Sequence, residues 1–138
     1  MIRNKIKIMK AYTDIEQSKY LAEILSIESS DHHYTRIVTD FMGNPLDEEW
    51  SHPQYGNPNS KYANYIFPNL TTCETLPCWS LSALIELIPD ECRMEKTLSD
   101  QTGEFTYSFV DDYLNIRTDG ADNPVDACYE MILKLDAL

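Results

Sequence analysis

Basic side chains are scarce in this chain of 138 residues: 11 Lys and Arg stand against 23 Asp and Glu, for a formal charge of −12. That balance repels phosphate and excludes a duplex nucleic-acid binder. Glycine is scarce as well, at four positions, and together with seven prolines it leaves no basis for collagen-like or low-complexity repeats. No apolar run approaches the roughly 20 residues of a membrane-crossing helix, and Met1–Lys10 alternates Ile with Lys where an export signal would be continuously apolar. A cytoplasmic protein without a membrane partner is the expectation. Cysteine occurs four times, at Cys73, Cys78, Cys92 and Cys128. Without an export signal these are expected as free thiols. Only Cys73 and Cys78 approach zinc-ligand spacing, and adjacent histidines such as His32 and His33 seldom point at one ion, so no metal and no cofactor are expected.

Catalytic signatures are missing too. There is no Gly-rich phosphate loop, no G-x-S-x-G elbow and no H-E-x-x-H. Asp111, Asp112, Asp119, Asp122 and Asp126 lack the alternating ligands and closing Glu of a calcium loop and read as turn and cap residues. One nucleophile–base pairing, Cys78 with His32 or His33, depends on what the fold brings together. The balance of these readings is against an enzyme.

What is present suffices for a core: 43% of the chain is apolar and 11% aromatic, and its length suits one domain over 1–138. Charge is uneven. Arg3, Lys5, Lys7 and Lys10 precede the first acid, Asp14, so residues 11–138 carry seven basic side chains against all 23 acids. The longest acidic run is Asp47-Glu48-Glu49.

Periodicity places the elements. Thr13 and Glu16 fit a capping box ahead of a helix over 13–25, and Tyr34, Ile37, Val38 and Phe41 predict a second helix over 31–42 with Arg36 and Asp40 paired one turn apart. No period holds across 43–76, which reads as a long irregular loop within the domain. Leu81, Leu84, Ile85 and Ile88 then predict a buried helix that Pro89 ends. Alternation in Cys92–Leu98, around Phe105, Tyr107 and Phe109, and in Tyr113–Arg117 predicts a three-stranded antiparallel meander, with turns at Asp100–Gly103 and Asp111-Asp112. Asn123-Pro124-Val125-Asp126 opens a last helix whose stripe is Val125, Cys128, Tyr129, Ile132 and Leu135, with Glu130 and Lys134 on its solvated side. The fold class is therefore α+β: the meander packed against three to four helices, with a long irregular aromatic loop at 43–76.

That loop carries Trp50, Tyr55, Tyr62, Tyr65 and Phe67, and so much aromatic surface is normally packed on something. Trp50, His52, Tyr55, Tyr62 and Tyr65 are the candidate binding residues. The leading reading is an intracellular interaction protein that occupies a protein partner's surface. The competing one is a small-molecule-binding protein or small enzyme with a site between the meander and the helices.

Three segments, Met9–Ser18, Pro77–Leu81 and Ala121–Cys128, together resemble an uncharacterised family of small acidic proteins carried by prophages and mobile elements of gut bacteria. The resemblance transfers no activity and no catalytic residue. It implies a setting in which small non-enzymatic proteins bind host or rival-element factors, and it makes Met9 an alternative initiator to Met1.

Overall fold

The structure, a computed structural model, describes residues 9–58 and 71–138. The chain is α+β and forms two compact units, one of Tyr12–Leu87 and one of Met1–Ala11 with Ile88–Leu138. Among the described residues there are three α-helices and two three-stranded antiparallel sheets, one more sheet than the sequence pattern suggests.

The unit of Tyr12–Leu87 begins with helix α1, Ile15–Ile24. Its cap is Asp14, whose carboxylate accepts from the Gln17 amide (2.8 Å) while the Gln17 side chain accepts from the Asp14 amide (3.1 Å). The capping box thus lies one residue later than the Thr13/Glu16 pair predicted. Thr13 is fully buried and committed elsewhere, its hydroxyl 2.8 Å from that of Ser18 and accepting the Trp79 amide at 3.1 Å.

The predicted helix at 31–42 is instead strand β1, His32–Thr39. The spacing of Tyr34, Ile37, Val38 and Phe41 imitates a helix, but Thr35, Ile37, Val38 and Thr39 form a dense β-branched run that favours a pleated strand. Arg36 accordingly pairs across the sheet with Glu74 (2.7 Å), not along a helix with Asp40. Strand β1 is central. Strand β2, Gln54–Tyr55, joins it at His32 and His33, and strand β3, Thr72–Cys78, lies antiparallel on its other side, from His32 opposite Cys78 to Ile37 opposite Cys73. The region 43–76 is therefore not one irregular loop, since β2 and most of β3 fall within it.

Helix α2, Leu81–Leu87, follows directly, with the Ser80 hydroxyl accepting from the Ala83 amide (3.2 Å). Leu84 on this helix and Ile88 beyond it are buried as expected, whereas Ile85 is half exposed. Among the described residues of this unit Leu21, Tyr34, Leu76, Cys78, Trp79 and Leu84 are buried, and the Trp79 indole N–H donates to Ser29 Oγ (2.9 Å).

In the other unit the meander is present. Strands β4 (Arg93–Leu98), β5 (Phe105–Asp111) and β6 (Ile116–Arg117) lie in that order, with Leu98 opposite Phe105 and Arg93 opposite Val110. The third strand is shorter than Tyr113–Arg117. Buried Asp111 accepts the amides of Tyr113 (2.9 Å) and Leu114 (3.1 Å), and Asn115 takes a left-handed conformation (φ 55°), so the turn uses up those residues. Helix α3, Pro124–Asp136, starts as read, with Asn123 accepting the Asp126 amide (2.9 Å) and proline in the first turn. It packs on β5 and buries Val125, Ala127, Cys128, Met131 and Ile132. Among the described residues no helix is long and apolar enough to cross a membrane.

Candidate functional site

Beyond β1 the chain makes a tight tip. Asp40 accepts the amides of Met42 (2.8 Å) and Asn44 (2.9 Å), Gly43 supplies a positive φ of 84°, and Phe41 and Met42 are left exposed. These hydrogen bonds hold the Asp40 carboxyl below its ordinary range. The chain then returns along the edge of β1 as an arch fixed at both ends. The Leu46 amide donates to the Val38 carbonyl (2.8 Å), the Ser51 amide to the Thr35 carbonyl (2.8 Å), and the Thr35 amide to Ser51 Oγ (3.0 Å). Asp47, Glu48 and Glu49 project between these anchors, exposed and without a cationic partner among the described residues.

Trp50 closes the arch. It is half-buried against the cluster formed by Tyr34, Leu76 and Cys78, and the Arg36 guanidinium lies 4.5 Å from its ring centre while also pairing with Glu74. A shallow depression of about 320 Å³ lies alongside, with Arg36, Glu48, Glu49 and the exposed Cys73 among its lining residues. Of the candidate binding residues, Trp50 thus packs on the unit's own core, whereas His52 and Tyr55 face outward, Tyr55 at 87% exposure. Tyr62 and Tyr65 lie outside the described residues, as does Phe67. The Ser51 anchor and Glu74 were not singled out from sequence, and Arg36 is expected there to pair with Asp40. Their signal is the register Arg36–Glu74, which exists only once β1 and β3 are paired.

The histidines stand at the other end of β1. His33 Nδ1 donates to the Gly56 carbonyl (2.6 Å), fixing where β2 leaves the sheet. His32 sits edge-on to Tyr12 (4.7 Å) and Tyr55 (5.6 Å). Its Nδ1 is 3.0 Å from Asp31 Oδ1, within ion-pair reach but not aligned for a hydrogen bond. Asp31 accepts both the Ser80 amide (2.9 Å) and the Ser80 hydroxyl. Burial works to raise the Asp31 pKa, but the Ser80 hydrogen bonds, with His32 beside them, prevail and lower it.

The register also sets His32 opposite Cys78, as the Cys78–His32 form of the expected nucleophile pair would require, and His33 opposite Pro77. It does not form. Cys78 Sγ is buried and donates to the Thr13 carbonyl (3.7 Å), and burial pushes its pKa up to about 11. Among the described residues no group of three His, Cys, Asp or Glu side chains is placed to hold a metal ion.

The meander unit has a site of its own, a cleft of about 650 Å³ lined by Met9, the Thr102–Phe105 turn, Tyr107 and Asp122. Compared with protein-family models, curated proteins and solved structures, the chain matches none.

Proposed function

We propose that this chain is a non-enzymatic interaction protein that uses the acidic arch and Tyr55 to occupy the surface of a basic protein. The observation that carries the reading is the arch, where three adjacent carboxylates lack a counter-charge among the described residues and are held in place by backbone hydrogen bonds at both ends. Pre-organised charge steers association and selects the sign of the partner at little ordering cost. The unit that bears the arch has eleven acidic side chains against three basic ones, so it supplies most of the negative field. Exposed Tyr55 adds the rigid amphipathic contact that interfaces favour. The resemblance to small proteins of prophages and mobile elements makes a host or rival-element protein in the cytoplasm the intended partner.

The test combines capture from host lysate with stability. Replacing Asp47, Glu48 and Glu49 by Asn, Gln and Gln should abolish capture of a basic protein, and added salt should weaken capture by the unmodified chain. Tyr55→Ala should cost less than about 0.5 kcal/mol of stability, whereas Trp50→Ala should cost about 1–2 kcal/mol as a half-buried aromatic. Undiminished capture by the triple variant, or a Tyr55→Ala loss as large as that of Trp50→Ala, would remove the proposal.

A further inference from the structure

The meander cleft carries chemistry independent of the arch. Glu104 and Asp122 both line it, both are exposed, and neither has a cationic partner among the described residues. Phe105, Tyr107 and Met9 line the same cleft, together with Gly103 at the turn. Two carboxylates disfavour an anion, and a neutral apolar ligand would leave both unused. Aromatic faces beside carboxylates suit a positively charged nitrogen on an aliphatic stem, whose methylenes can lie along rings and sulfur.

The rings already hold such a group. Lys96 lies opposite Tyr107 in the β4–β5 register, and its ammonium stands 4.2 Å from the centre of the Phe105 ring and 5.7 Å from that of Tyr107. Among the described residues Lys96 has no carboxylate partner, so the ring faces are what its ammonium meets. We propose that the cleft binds an organic ammonium, free as a polyamine or presented as a lysine side chain, and that Lys96, which does not itself line the cleft but reaches the same two rings, competes with the ligand for them. The volume of about 650 Å³ accommodates a chain bearing more than one ammonium.

The experiment is an amide-resolved NMR titration of the full chain with two probes, spermidine and the peptide acetyl-Gly-Lys-Gly-amide. Saturable shifts confined to Gly103–Tyr107 and Asp122 are expected, and the tighter probe identifies the source of the ammonium. Lys96→Met should tighten binding about 2- to 5-fold, the equivalent of one exposed cation–π contact. Glu104→Gln and Asp122→Asn should each weaken it by up to about 5-fold. A purely structural Lys96 would give no tightening. Unchanged or weaker binding by Lys96→Met, or shifts spread over every acidic surface, would overturn the proposal. Because Lys96, Glu104 and Asp122 are all exposed, these variants keep the fold, and failure here leaves the arch reading untouched.

Discussion

Replacing Thr13 by Val keeps the shape of the side chain and deletes one hydroxyl, yet it should be among the more damaging single changes in the Tyr12–Leu87 unit. That hydroxyl accepts the Trp79 amide at 3.1 Å and lies 2.8 Å from Ser18 Oγ, and Thr13 and Ser18 are both fully buried. Around it the Thr13 amide donates to the Trp79 carbonyl (2.9 Å) and the Tyr34 phenol donates to the Thr13 carbonyl (2.5 Å), so one residue fastens α1 to β1 and to the end of β3. Valine orphans the Trp79 amide and the Ser18 hydroxyl, each at about 1–3 kcal/mol. Because the two share one partner their costs do not simply add, and a total of about 2–4 kcal/mol is expected. Thr13→Ser keeps the oxygen and loses a methyl, a change of about 1 kcal/mol. Urea midpoints followed by tryptophan fluorescence, with far-ultraviolet circular dichroism as a second probe, compare the two. Thr13→Ser should retain most of the stability that Thr13→Val loses. If Val proves equal to or better than Ser, packing and not hydrogen bonding holds this junction, and the reasoning fails.

Other expectations follow from the same structure. The Asp31 pKa is lowered in the fold, so its contribution is present above the unfolded value of about 4 and is lost as pH falls through the folded value. Asp31→Asn should therefore destabilise the protein at neutral pH, with the gap from the unmodified chain closing in strong acid, as read by urea melts across pH. Cys73 is exposed while Cys78 and Cys128 are buried, with burial pushing their thiols to about 11 and about 12. A thiol-reactive chromogen should accordingly label Cys73 fastest in the native protein and all four thiols after denaturation, and rapid native labelling of Cys78 would contradict the packing described. Duplex DNA should not bind at physiological salt, because the chain is too acidic to tolerate phosphate. A salt-dependent gel shift at micromolar protein would contradict that.

Local chemistry explains what could be read from the sequence. The last helix was legible because Asn123, Pro124 and Asp126 carry the signals of its start within four residues, and the meander because Phe105, Tyr107 and Phe109 alternate between short turns. Strand β1 was misread because its partner β3 is remote: Thr39 pairs with Thr72, and no window around 31–42 contains that information. The site suffered likewise. The aromatic character of Trp50 and Tyr55 was visible, but their division into a packed ring and an exposed one follows from where Arg36, Tyr34 and Ser51 fall on a strand that the pattern did not reveal. Lys96 and Tyr107 face each other through hairpin pairing, and Asp122 lines the cleft beside Tyr107, next to Ala121, which bridges to Tyr107.

The anchoring of the arch also bears on how copies of this protein behave toward one another. An uncovered strand edge is a template on which a second chain can add itself, and edge-to-edge addition is a common start of aggregation. On the side of β1 away from β3, β2 pairs only with His32 and His33, while the Ser51 and Leu46 anchors take up the backbone at Thr35 and Val38. Three like charges project from the segment that seals it. Two copies approaching along this edge would meet carboxylate against carboxylate, so the surface offered to a basic partner also discourages self-polymerisation.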